Sequence, residues 1–208
     1  MADQPAAARR EQGVRTRDTI LAHAVQVASV EGLEGLSIGR LASDLGISKS
    51  GLFARFGSKE DLQLATVQAA RDIFIAEVTG PARKLEPGLA RLRKLVDLFL
   101  SYSRRRIFPG GCFFANAVAE FDGRPGPVRD ALANEVSALI TFLERTIRAA
   151  IDNGELQPDT DPRVLAFEIY SILNGANARS VLFNDKGVYR MARRVVLDRL
   201  AAMGGALT

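Results

Sequence analysis

The chain is nearly free of the side chains from which small catalytic and metal sites are built. Its 208 residues include one cysteine, Cys112, and one histidine, His23. A lone cysteine excludes an intrachain disulfide framework. The two residues lie far apart in sequence, and neither a glycine-rich phosphate loop nor zinc-ligand spacing accompanies them. Nucleophile–base, phosphate-loop and zinc chemistry therefore have no candidates, and no carboxylate is singled out as catalytic. His23 has no partner at ligand spacing, so it reads as a surface or packing residue. No apolar run approaches the roughly 20 residues that span a bilayer. Met1–Arg10 has no apolar core of a secretory signal. These absences predict a cytoplasmic protein that is not an enzyme, with no metal, no cofactor and no membrane partner. What is present is ordinary: 47% hydrophobic residues, enough for a core, and 28 basic against 24 acidic side chains, a mild excess of +4. That excess fits a DNA partner without establishing one.

The stretch Leu41–Leu62 is the informative one. Ser37 is a good N-cap, and Ile38, Leu41, Ala42 and Leu45 follow at helical spacing. Gly46 supplies a left-handed stop, and Ile47 an apolar plug beneath the turn. Ser48 caps a second short helix in which Leu52 and Phe56, four apart, face inward. Lys49, Ser50 and Gly51 are left at its exposed start. Gly57 closes that helix, and Ser58 to Asp61 form a Ser-x-x-Asp cap for the next. Two short helices around a tight turn make a helix-turn-helix, which places its second helix in the major groove of DNA.

Residues 17–62 resemble the TetR family of bacterial transcription regulators in spacing, caps and glycines, and in the Phe53-Ala-Arg-Phe56 and Ser58-Lys59 runs. The resemblance continues more loosely to the C-terminus. The family often has Tyr at the place of Phe53 and His at the place of Arg55. Phe53 has no hydroxyl to offer a phosphate, whereas Arg55 brings a charge. The resemblance implies base contacts from Lys49 and Ser50, with Gly51 allowing close approach. Lys59, Ser37, Arg40 and Arg55 are the phosphate candidates, and Ser48 and Phe53 complete the DNA-binding set.

The remaining sequence reads as helix, with no strand alternation and no repeat. The expected fold is all-α: a three-helix DNA-binding domain followed by a larger helical domain. Residues 1–14 are expected to be a disordered basic arm, 15–60 the DNA-binding domain, and 61–208 an effector-binding and dimerisation domain. Arg9, Arg10 and Arg15 on the arm either follow the DNA or are solvated. Thr16 is the expected cap of the first helix, whose core stripe is Ile20, Leu21, Ala24, Val27 and Ala28. A fourth helix over 59–79 is expected to end at Gly80-Pro81. Later helices are expected over 87–105, 111–121, 127–153, 162–184 and 187–202.

Two of these helices bear on function. Segment 162–184 is apolar round more than one face, so it must be covered on two sides. The resemblance implies that it forms a homodimer interface with 187–202; the alternative is a large monomeric core. Segment 111–121 is nearly all apolar except Cys112, Asn116 and Glu120, which recur every four residues. One reading has these three border a ligand cavity with Phe74, Phe99, Tyr102, Phe114, Phe142, Tyr170 and Asn174. The other has Asn116 and Glu120 satisfy neighbouring backbone or an arginine. Cys112, at a helix N-terminus, is either a reactive thiolate that senses oxidants or an inert core residue. The functional expectation is a ligand-responsive regulator, by family default a repressor. It would bind a near-palindromic double-stranded DNA operator as a homodimer and be released by a small-molecule effector. The rival is a helical small-molecule-binding or redox-sensing protein that has lost specific DNA binding.

Overall fold

The computed structural model of the chain describes the backbone of residues 4–204 and the side chains of residues 17–204. All regular structure among them is helical. In order the helices are α1 (Gln4–Glu31), α2 (Ile38–Leu45), α3 (Lys49–Phe56), α4 (Lys59–Phe74), α5 (Gly80–Arg83), α6 (Leu89–Arg104), α7 (Phe113–Phe121), α8 (Pro127–Asp152), α9 (Pro162–Leu182) and α10 (Val188–Ala202).

The helix-turn-helix forms as its residues dictate. The Ser37 hydroxyl accepts the Arg40 N–H at 3.1 Å, and the Ser48 hydroxyl accepts that of Gly51 at 3.1 Å. Gly46 sits at φ 64°, and the next residue, Ile47, returns its N–H to Ala42 at 3.0 Å. Leu41, Ala42, Leu52 and Phe56 are buried between α2, α3 and the two flanking helices. On α1 the fully buried residues are Ile20, Ala24 and Val25, with Leu21 and Ala28 beside them; Val27 is only half-buried.

Two expected boundaries differ. Helix α1 starts at Gln4 rather than at a Thr16 cap, so residues 4–14 of the expected arm lie on helical backbone. Nothing between Ala6 and Thr16 breaks a helix except Gly13, and Pro5 falls in the first turn, where a missing N–H costs nothing. The side chains of Arg9, Arg10 and Arg15 lie outside the described residues. The fourth helix also does not stop at Gly80-Pro81. After Phe74 it widens into a π-turn over Ile75–Thr79, in which the Gly80 N–H reaches back to the Ile75 carbonyl. It then runs on as α5. A Cβ on Gly80 would stand 2.7 Å from that carbonyl oxygen, so glycine is what lets the wide turn close.

α4 belongs to both halves of the molecule. It packs on α1 and α3 at one end and on α8 further along. α8 is the centre of the larger domain, touching α4, α6, α7 and α9, and α10 closes over α9 and α6. One continuous apolar core runs from Ile20 to Leu200.

Candidate nucleic-acid interface and ligand chamber

Burial of Leu52 and Phe56 fixes which side of α3 faces out. Lys49, Ser50, Gly51, Phe53 and Arg55 are all exposed, Phe53 to 55%. The fold therefore brings the base-reading candidates onto one surface. Ser37, Arg40, Ser48 and Lys59 are exposed on the same domain. Arg40 and Lys59 already hold carboxylates. Arg40 bonds both carboxylate oxygens of Glu31 at 3.1 Å and Asp44 at 3.1 Å. Lys59 donates to the Glu34 carbonyl at 2.7 Å and to its carboxylate at 2.8 Å. His23 also meets Asp44, at 3.1 Å, and hydrogen bonds from His23 and then Arg40 hold that carboxyl below its usual range. The Ser37 and Ser48 hydroxyls each accept one capping N–H.

Six of the ten expected cavity residues come together. Phe74, Phe99, Cys112, Phe114, Tyr170 and Asn174 line one chamber with Glu135, Val136 and Leu139. The rings meet edge to face, Phe74 lying 6.0 Å from Phe99 and 6.0 Å from Phe114. The chamber is tight, about 30 Å³, room for a water or two. Glu135 is its one charged wall residue; burial raises its carboxyl pKa, against the pull of Arg71 at 3.2 Å. Val136 also lines an open groove of about 460 Å³ between α7 and α8, whose floor includes Val118, Phe121, Leu132 and Ile140.

Four of the ten stand elsewhere. Tyr102 is behind the wall, its ring 5.5 Å from Phe74. Phe142 lies under the Arg83 guanidinium at 5.0 Å. Asn116 and Glu120 face the DNA-binding domain. Asn116 donates to the carbonyls of Ser29 at 3.1 Å and Gly110 at 2.8 Å. The Glu120 carboxylate accepts the N–H groups of Leu33 and Glu34, each at 2.8 Å. The reason is helical geometry: Cys112 and Phe114 sit in the turn that meets α9 and the chamber, while the residues four and eight further on drift round toward α1. Asn116 and Glu120 thus bond neighbouring backbone, while Cys112 stays on the chamber wall.

Cys112 is 2% exposed, and its N–H donates to Asn177 Oδ1 at 2.9 Å. Burial pushes its thiol up to about 11; the first-turn N–H groups of Ala115 and Phe114 pull the other way and lose. It is a protonated thiol at neutral pH, not the thiolate that the helix dipole alone would favour.

Sequence reasoning missed Glu34, Glu135 and Asn177. Glu135 was legible in principle, as a carboxylate between Leu132, Val136 and Leu139 on an apolar stripe. Glu34 and Asn177 were not, because their partners are 25 or more residues away.

Comparison with known proteins decides the family. Residues 20–66 match the model of bacterial regulatory proteins of the tetR family. Residues 88–196 match that of the tetracyclin repressor-like C-terminal domain. The chain belongs to the TetR family. It is a TetR-family transcriptional regulator with a DNA-binding and a ligand-binding domain. It is similar to the HTH-type transcriptional regulator RutR of Escherichia coli (strain K12), with 26% identity over 193 residues, 86% of this chain and 88% of RutR. In fold it is similar to a TetR transcriptional regulator of Chloroflexus aurantiacus J-10-FL, with a TM-score of 0.85 at 22% identity, covering 92% of this chain and 96% of that one. AibR, solved in complex with isovaleryl coenzyme A and operator DNA, superimposes with a TM-score of 0.66 at 22% identity, covering 78% of this chain and 85% of AibR. Among the described residues of this TetR-family chain, no helix is long and apolar enough to cross a membrane.

Proposed function

We propose that the chain is a homodimeric repressor that binds a near-palindromic operator in the cytoplasm and is released by a small-molecule effector. Residues 15–60 are the DNA-reading unit and 61–208 the effector and dimer unit. The observation that carries the reading is the outer face of α3, where buried Leu52 and Phe56 leave Lys49, Ser50, Gly51, Phe53 and Arg55 exposed together. Lys49 and Ser50 read base edges; Lys59, Arg40, Arg55 and Ser37 meet phosphates. Two such helices about 34–36 Å apart read successive major grooves. AibR, which was solved with both an acyl coenzyme A and operator DNA, supports a fold that couples the two kinds of ligand.

The effector site is the chamber under Phe74, Phe99, Phe114 and Tyr170. A ligand larger than water must push those walls apart, and Val136, shared with the outer groove, is the wall with space behind it. Displacing Phe114 shifts α7, which holds the DNA-binding domain through Asn116 and Glu120. An effector acts only as far as it prefers the shifted arrangement.

The test is fluorescence anisotropy with DNA flanking the chain's own gene, across a salt series and against random competitor. Tight binding that survives competitor is expected. Lys49→Ala should lose about 1–3 kcal/mol of discrimination at particular bases. Weak binding indifferent to sequence would refute a dedicated operator in that DNA, and equal losses on operator and random DNA would remove Lys49 from the base-reading set.

A further inference from the structure

Glu34 sits in the turn between α1 and α2, outside every surface assigned so far. Its carboxylate occupies Lys59 at 2.8 Å, its carbonyl takes the same ammonium at 2.7 Å, and its second oxygen lies 3.7 Å from Arg124. Its position is not left to a mobile side chain. The Glu34 N–H is held by Glu120 of α7 at 2.8 Å, and the neighbouring Leu33 carbonyl is held by the buried Gln63 of α4 at 2.9 Å. Lys59 and Glu34 are each about half exposed, so a phosphate can reach the ammonium.

We propose that Glu34 is a built-in competitor of the DNA backbone for Lys59 and so weakens the affinity of this regulator for all DNA sequences. This rests on the reading above that Lys59 meets a phosphate. An ammonium cannot give its full charge to two anions at once. When DNA binds, Lys59 exchanges a carboxylate for a phosphate, and the ion pair with Glu34 is lost. The lost ion pair offsets part of what that lysine would otherwise contribute to binding. The hydrogen bond from Lys59 that holds the Glu34 carboxyl below its usual range reports the same pairing.

The test is a double-mutant cycle on random-sequence duplex DNA, with binding constants measured by anisotropy between about 50 and 200 mM salt. Glu34→Gln keeps the backbone bonds and removes the charge. It should bind more tightly than wild type, with an advantage that shrinks as salt screens the Lys59–Glu34 pair. In a Lys59→Ala background the same substitution should give no advantage. A gain that persists in that background would overturn the proposal, since it would come from Arg124 or from overall charge. Glu60→Gln removes one acidic charge beside Lys59 from a residue that does not pair with it, and an equal gain there would overturn it too. If the wild-type chain binds DNA and Glu34→Gln gains nothing, the proposal fails alone. If neither the wild type nor Glu34→Gln binds any duplex at low salt, the DNA-binding reading fails first and takes the proposal with it.

Discussion

At the scale of the residue, Cys112 shows two opposed effects with a clear winner. A helix N-terminus stabilises a thiolate, but loss of water destabilises it more, and the thiol rises to about 11. Native Cys112 should therefore react with iodoacetamide at neutral pH roughly 300-fold more slowly than the same cysteine in denatured chain, from the thiolate fraction alone. Equal rates would show an accessible thiolate and revive oxidant sensing. The same shift has a signed effect on stability. A thiol that stays protonated in the folded state but ionises near 8.5 when unfolded loses its contribution as pH rises from there toward about 11. Cys112→Ala should lack that alkaline loss in thermal melts.

At the scale of the element, α7 and the loop before it join the two domains. Gly110 packs so closely on the end of α1 that an added Cβ would lie 1.7 Å from the Ser29 carbonyl oxygen. Its N–H meets the Ser29 hydroxyl at 3.2 Å, and Asn116 bridges both backbones. Gly110→Ala must push α1 and α7 apart, and should destabilise the fold by about 1–3 kcal/mol in denaturant titrations. Gly123, in the loop after α7, has nothing within 4 Å of its would-be Cβ. Gly123→Ala should stay within about 0.5 kcal/mol of wild type; a comparable loss at both glycines would remove the close contact as the cause. Local elements with local causes were legible beforehand. The caps at Ser37, Ser48 and Ser58, the stop at Gly46 and the inward Leu52 and Phe56 all follow from residues within four positions of each other. The π-turn was not, because Gly80-Pro81 reads as a terminator unless the wider hydrogen bond of Gly80 to Ile75 is known.

At the scale of the whole molecule, the apolar surface of α9 and α10 divides in two. Leu165, Ile169, Ala176, Val188, Ala192 and Val196 are buried in the chain's own core. Val164, Phe167, Leu182, Met191 and Val195 are exposed, Phe167 to 70%. An apolar face of this kind is an interface by default, and it stands where the proposed homodimer needs it. Phe167→Glu should convert a dimer to a monomer in light scattering and, with only one recognition helix per particle, cut operator affinity far more than random-DNA affinity. A wild-type chain that is monomeric at tens of micromolar would remove the dimer from the reading.

The sequence by itself determined the all-helical class, the helix-turn-helix and the exposed identity of α3, because these depend on caps, turns and spacing within one or two helical turns. It also narrowed the chamber, since an aromatic-rich interior must gather somewhere. Only the tertiary structure decided which polar groups face which partner. Asn116 and Glu120 look like chamber residues on a helical wheel, yet they hold backbone about 87 residues away. Lys59 looks like an unencumbered phosphate ligand, yet it lies against Glu34, 25 residues earlier. Hydrogen bonds and ion pairs act over a few ångströms and demand one geometry. Their partners are therefore set by how helices pack, which the spacing of residues along a single helix does not encode.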